Sequence, residues 1–65
     1  MLNNKNISKM SNLRYWGIFQ SPHTNNGEPY IGKPENSINA LHEKEDDLIT
    51  YFTTAKEAED FLKTL

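Results

Sequence analysis

The chain has 65 residues, a net charge of −2 and no cysteine, and 35% of its residues are hydrophobic. A chain of this length forms one domain at most, and its core is small because domains of ~60 residues bury only about 60% of their unfolded surface. The lack of cysteine excludes disulfides and thiolate zinc sites, the lack of a basic stripe disfavours nucleic-acid binding, and no apolar run approaches the ~18 residues of a membrane span.

Residues 1–12 are rich in Asn, Ser and Lys and contain only isolated apolar side chains. This composition predicts a flexible N-terminal tail. The segment also lacks the apolar run of a signal peptide, so a cytoplasmic location is expected. Residues 13–65 are expected to form a single small domain.

Residues 13–20 predict the first strand, because they are rich in aromatic and β-branched side chains and contain no proline. Gly17 is expected to mark a close approach of the backbone or a bulge. Side chains alternate across a strand. The alternation assigns one face to Tyr15, Gly17 and Phe19, and the other face to Trp16 and Ile18.

Residues 21–29 predict a loop, because Ser, Pro, Asn and Gly dominate the segment. Asn26-Gly27 is the expected turn, since both residues tolerate a positive φ. Residues 30–32 predict a short second strand paired with the first. Pro34 ends this strand because proline cannot donate to a ladder.

Residues 35–42 are ambiguous, and a short helix over 36–42, capped by Asn36 or Ser37, is one alternative. A charged loop, residues 43–47, follows. It is either a solvated loop or a surface that meets a basic patch on a partner and speeds association. The acidic residues of this partner-facing alternative are Glu43, Glu45, Asp46 and Asp47.

Residues 48–52 predict the third strand, again apolar on both faces. Leu48 and Phe52 are expected on one face, and Ile49 and Tyr51 on the other. An amphipathic helix is expected next. Its cap is Thr54, which stands three residues before Glu57, the spacing of a capping box. Its apolar stripe, at spacings of three and four, consists of Ala55, Ala58, Phe61, Leu62 and Leu65.

The predicted fold class is α+β, with a small three-stranded antiparallel sheet and the C-terminal helix packed on one face. One helix covers one face only, so the second apolar face is either covered by residues 1–12 or 35–42, or exposed as an aromatic patch of the kind that marks interfaces. Trp and Tyr are enriched at binding hot spots. The contact residues expected for an exposed patch are Tyr15, Trp16, Ile18, Tyr30 and Tyr51.

No group of residues has the spacing of an active site, a cofactor site or a metal site. Neither His23 nor His42 has a second His or Cys at metal-ligand spacing, and no nucleophile is placed beside a base and an orienting group. The glycines are too scattered for a phosphate loop. The sequence therefore predicts a non-enzymatic protein with no cofactor and no metal.

Residues 51–62 (Tyr-Phe-Thr-Thr-Ala-Lys-Glu-Ala-Glu-Asp-Phe-Leu) resemble the end of the hybrid-binding domain found at the N-terminus of some ribonucleases H. That family ends in a strand and a Thr-capped helix with a Glu-Ala pair and a Phe-Leu pair, and its order of elements is similar. The resemblance implies an α+β fold and nucleic-acid binding. The chain lacks the family's basic residues and Gly-rich first turn, so no binding residue is carried over.

The favoured function is a small acidic protein-binding module that contacts a larger protein through the aromatic face of its sheet, as a monomer or a homodimer. The expected setting is a phage or mobile element, in which such a protein inhibits or modulates a larger host protein. Two alternatives stay open. The same aromatic side chains would stack on bases in a nucleic-acid-binding module, or the chain would be an accessory structural subunit of a larger complex.

Overall fold

The structure of the chain is a computed structural model that describes residues 13–65; the tail predicted for residues 1–12 lies outside them. The described residues form an α+β fold with a three-stranded antiparallel sheet of order β2-β1-β3 and two helices. This confirms the predicted fold class. The elements are β1 (Trp16–Gln20), β2 (Tyr30–Ile31), α1 (Ile38–His42), β3 (Asp47–Phe52) and α2 (Ala55–Lys63).

One face of the sheet carries α2, and we call it the helix face. Phe52 of β3 lies opposite Trp16 of β1, and its ring centroid is 5.4 Å from that of Phe61 in α2. Ladder partners point to the same face, so Trp16 and Ile18 belong to the helix face. Ile18 and Ala58 are fully buried there.

Helix α2 begins and packs as predicted. The Thr54 hydroxyl accepts a hydrogen bond from the Glu57 N–H at 3.2 Å and donates one to the Glu57 carboxylate at 2.9 Å. Both bonds use the spacing of three residues that marked the start of the helix. The apolar stripe is half-buried or buried except at Leu65, which follows the helix and is 64% exposed.

The opposite face, which we call the second face, carries Phe19, Tyr30 and Gly17. Residues 35–46 supply much of its cover. Glu35 pairs with Tyr15, the buried Leu41 belongs to α1, which packs against β3, and Asp46 is bonded to Tyr30. Phe19 is consequently only 2% exposed.

A β-bulge in β3 was not predicted, and it corrects the expected faces of this strand. Ile18 pairs with Thr50 but Phe19 pairs with Leu48, so Ile49 has no partner on β1. Leu48 therefore turns to the second face, where its Cδ1 lies 3.0 Å from the position that a Cβ on Gly17 would occupy. The prediction that Leu48 shares a face with Phe52 is wrong for this reason.

Candidate protein-interaction surface

Two tyrosines, Tyr15 and Tyr51, form an aromatic pair at the β3 side of the second face. Their ring centroids are 6.0 Å apart and their planes are inclined by 84°, an edge-to-face contact that aromatic rings favour. Tyr51 lies opposite Gly17, and Tyr15 precedes this glycine by two residues on the same face. Tyr15 is half-buried, whereas Tyr51 is 39% exposed. The pair forms an apolar surface from its two rings and carries two phenol hydroxyl groups.

Tyr30, a third predicted contact residue, is turned toward the protein. Its hydroxyl donates a hydrogen bond of 2.5 Å to the Asp46 carboxylate, and its ring lies 6.0 Å from that of Phe19. The hydrogen bond to Asp46 raises the pKa of Tyr30 above its usual value of 10.0, and partial burial and the charge of Asp46 act in the same direction. Tyr30 therefore positions the acidic segment more than it presents a free surface.

The structure separates Trp16 and Ile18 from the other predicted contact residues. Both side chains point to the helix face, opposite Phe52 and Thr50, whereas the tyrosines lie on the second face. Ile18 is fully buried, so it is a core residue and its assignment to a contact surface is corrected. Trp16 is half-buried beside the Phe52–Phe61 pair, and we expect it to contribute to packing.

The acidic residues Glu43, Glu45 and Asp46 lie between α1 and β3, and Asp47 is the first residue of β3. Glu43, Glu45 and Asp47 are exposed, whereas Asp46 is half-buried by its bond to Tyr30. A second polar contact fixes the segment, because the Lys44 ammonium group lies 2.6 Å from the Glu35 carboxylate. Three carboxylates are thus presented to solvent where the edge strand begins.

The contact between Lys44 and Glu35 also sets the charge of this region. The hydrogen bond from Lys44 lowers the pKa of Glu35, partial burial opposes this, and the positive charges of Lys44 and Lys33 lower it further. Glu35 is therefore held as a carboxylate. An open groove of about 360 Å³ lies beside these groups. Four charged residues line it: Lys33, Lys44, Glu45 and Asp46. Two of them, Lys44 and Asp46, are already paired with protein groups, so they hold the segment in place.

Within residues 13–65, no group of three or more His, Asp or Glu side chains is placed to hold a metal ion. His23 and His42 are both exposed; His23 lies in the loop after β1 and His42 is the last residue of α1. None of the helices in the described residues is long and apolar enough to cross a membrane. The predicted absence of a cofactor stays a prediction.

Three features of this region could not be predicted from any single residue or local pattern in the sequence. The bulge at Ile49 depends on the pairing of β3 with β1. The bond between Tyr30 and Asp46 joins residues that are sixteen positions apart. The ion pair of Lys44 with Glu35 could have been suspected only from their opposite charges on the two sides of a short helix.

Comparison of the chain with protein-family models, with curated proteins and with solved structures finds no significant match.

Proposed function

We propose that the chain is a non-enzymatic protein-binding module that contacts a larger protein through the exposed side of β3. One observation carries the proposal. Ile49 and Tyr51 are 44% and 39% exposed, although most of the apolar side chains of the sheet are covered by α2 or by residues 35–46. Exposed apolar side chains on a rigid element are typical of interaction sites.

The charge around this surface favours a protein partner over a nucleic acid. The exposed residues Glu43 and Glu45 precede β3, and the exposed Asp47 is its first residue; all three repel phosphate groups. Arg14 is the neighbour of Tyr15 in the sequence, and Lys33 and Lys44 lie near Glu35, the bridge partner of Tyr15. Since Lys44 is already paired with Glu35, the cationic footprint is small for a nucleic-acid site. A partner with an apolar patch and basic residues beside it fits better.

The biological setting is part of the same proposal. A module without chemistry acts by occupying a surface of another protein, which suits an inhibitor or modulator of a larger host protein encoded by a phage or mobile element. An accessory subunit would use the surface in the same way. Partner activity distinguishes an inhibitor from an accessory subunit. An added inhibitor lowers the activity of its partner, whereas an accessory subunit is required for that activity.

The test is a pull-down with the tagged full-length chain, with and without nuclease, in which wild type is compared with Tyr51→Ala and Leu13→Ala. Leu13 is a matched control, because it is 42% exposed and lies outside the strands. We expect a stoichiometric protein that survives nuclease, is lost with Tyr51→Ala and is retained with Leu13→Ala. Loss of all partners on nuclease treatment, or equal capture by all variants, would contradict the proposal.

A further inference from the structure

The loop between β1 and β2 contains an exposed asparagine, Asn26, that is followed by Gly27. Such a pair is chemically labile, because glycine has no Cβ to hinder an attack of its backbone nitrogen on the preceding side-chain amide. The space around Gly27 is open. Apart from its chain neighbours, the nearest described atom to a Cβ at this position would be the Cα of Pro22, at 4.0 Å. Attack by the Gly27 nitrogen is therefore not hindered by neighbouring side chains.

Two adjacent asparagines of this loop differ in how their side chains are held. The Asn25 amide group donates hydrogen bonds of 3.3 Å to the C=O groups of Glu28 and Pro29. The Asn26 side chain forms no hydrogen bond with any of residues 13–65. Asn25 is also followed by a residue with a side chain, whereas Asn26 is followed by glycine. Asn26 is thus the reactive member of the pair, and Asn25 is an internal control.

We propose that Asn26 is a site of spontaneous deamidation and that the folded loop suppresses the reaction until the loop opens. In this reaction the backbone nitrogen of Gly27 loses its proton and forms a bond with Cγ of Asn26. The bond between Cγ and Nδ2 breaks, Nδ2 takes up the proton and leaves as ammonia, and a cyclic succinimide remains. One water molecule then opens the ring at either of its two carbonyl groups, which leaves an aspartyl or an isoaspartyl residue at position 26.

The backbone conformation of Asn26 prevents ring closure while the loop is folded. Asn26 has φ 59° and ψ 25°, in the left-handed region. At this ψ the nitrogen of Gly27 lies nearly anti to Cβ of Asn26 about the bond between Cα and C, so Cγ cannot reach the nitrogen. The five-membered ring needs Cβ and this nitrogen on the same side of that bond. A large rotation of ψ must therefore precede the reaction.

Hydrogen bonds hold the loop against this rotation. The Gly27 N–H donates to the Thr24 C=O at 2.9 Å, and the Glu28 N–H donates to the Asn25 C=O at 3.0 Å. The Gln20 side-chain amide donates to the Gly27 C=O at 2.9 Å and ties the loop to the end of β1. The bond to Thr24 breaks when ψ rotates, because the rotation turns the Gly27 N–H away. Since loops open locally more often than the core of a sheet, the rate of deamidation reports how often this loop opens.

The product changes the charge of a groove beside β3. Asn26 and Gly27 line this open groove together with Asp47 and Ile49, both of which are exposed. A carboxylate at position 26 adds a second negative charge to the groove, and an isoaspartyl residue also lengthens the backbone before Gly27 by one carbon. An effect on partner capture rests on the proposed function. The reaction itself does not, because it is measured in the purified chain without a partner.

The first test follows deamidation of the purified full-length chain in a mildly alkaline buffer, with and without enough urea to unfold it. Mass spectrometry of the proteolytic peptide that contains residues 25–27 locates the modified residue. We expect conversion at Asn26 and not at Asn25, and a rate at least about ten-fold higher in urea, because the folded loop is open in only a small fraction of molecules. Equal rates with and without urea, or no conversion at Asn26 in urea, would overturn the proposal.

A substitution at the base of the loop tests whether its hydrogen bonds suppress the reaction. Gln20→Ala should raise the rate in the folded chain roughly three-fold, the effect expected from the loss of one hydrogen bond, and should leave the rate in urea unchanged. Thr53→Ala is the matched control, because its side chain is exposed and lies outside this loop; it should react like wild type in both conditions. A Gln20→Ala chain that reacts like wild type in buffer, or one that reacts equally faster in buffer and in urea, would contradict suppression by the loop.

The last variant is measured only in the unfolded chain, so its result does not depend on folding. Gly27→Ala places a methyl group on the attacking residue and should slow conversion of Asn26 in urea several-fold. The products give an independent criterion, because ring opening yields both aspartyl and isoaspartyl residues, whereas direct hydrolysis of the side-chain amide yields aspartyl alone. A rate unaffected by Gly27→Ala, or a purely aspartyl product, would exclude attack by the Gly27 nitrogen.

Discussion

Phe19 is the most deeply buried aromatic residue of the second face, and its ring packs against two glycines. A Cβ on Gly17 would lie 2.8 Å from Cε2 of Phe19, and a Cβ on Gly32 would lie 2.5 Å from the same atom. Real side chains do not approach so closely, so the ring fits only because both neighbours lack a side chain. The sequence prediction of a close approach at Gly17 is confirmed, and Gly32 is its unpredicted counterpart.

We predict that Gly32→Ala lowers the free energy of unfolding by about 1–3 kcal/mol, the usual effect of an added methyl group in a filled core. Denaturant unfolding measures this change. The matched comparison is the same substitution in a Phe19→Leu background, where the smaller side chain leaves space for the methyl group. In that background Gly32→Ala should cost clearly less. Equal losses in both backgrounds would show that the ring is not the cause.

At the scale of the element, both helices are started by hydroxyl caps. The Ser37 hydroxyl accepts the N–H of Ala40 at 3.2 Å at the start of α1. Thr54 does the same for α2 and in addition donates to the Glu57 carboxylate. Since α2 has only nine residues, and helices this short are marginal without support, its cap and its packing on the sheet must act together.

We predict that Thr54→Ala lowers the free energy of unfolding by about 1 kcal/mol, the typical loss of a helix cap, and that Thr54→Ser restores most of it. Thr53→Ala is the control at the neighbouring position, where the side chain is exposed and makes no hydrogen bond with the residues from 13 to 65. Thermal unfolding followed by circular dichroism ranks the variants. A loss at position 53 as large as that at position 54 would contradict the role of the cap.

The structural features that the sequence predicts correctly are those determined by residues close together in the chain. The cap of α2 spans four positions, and the alternation along β1 is local. The turn at Asn26-Gly27 is confirmed by positive φ values of 59° and 82°, although it also includes Asn25, at 53°. Nothing local shows that β3 shifts its register at Ile49. A bulge is selected by pairing across the sheet, where side chains from distant segments compete for the same space.

The candidate surface was likewise predicted only where it depends on local sequence. The sequence placed an aromatic group on the sheet, and the tyrosine pair lies there, but it also assigned Ile18 and Trp16 to the surface. Their burial depends on where α2 packs, which is a property of the folded chain. Alternation shows that two residues lie on opposite faces but does not show which face the helix covers.

At the scale of the molecule, the cover of the second face is held to the sheet by two polar contacts. Tyr30 is bonded to Asp46, and Glu35 is paired with Lys44. Both contacts depend on the protonation state of a side chain, so both link the stability of the fold to pH. They act at opposite ends of the pH scale, because one needs a neutral phenol and the other a charged carboxylate.

The contribution of Tyr30 is lost at high pH. Its pKa is raised above 10.0 in the folded chain, so the neutral phenol that donates to Asp46 is favoured by folding. The resulting stability is fully present below pH 10 and disappears as the pH rises through the raised value. The contribution of Glu35 has the opposite sign.

Glu35 has a pKa below its usual value of 4.5 in the folded chain, so its stabilising effect is present above pH 4.5 and is lost as the pH falls through the lowered value. We predict that wild type is more stable than Glu35→Gln at pH 7 and that the difference disappears in acid. Urea unfolding at a series of pH values measures it. Glu59→Gln is the control, because Glu59 is exposed and forms no ion pair among the described residues; its difference from wild type should stay small throughout. A difference for Glu35→Gln that did not change with pH would assign its effect to the shape of the side chain rather than to its charge.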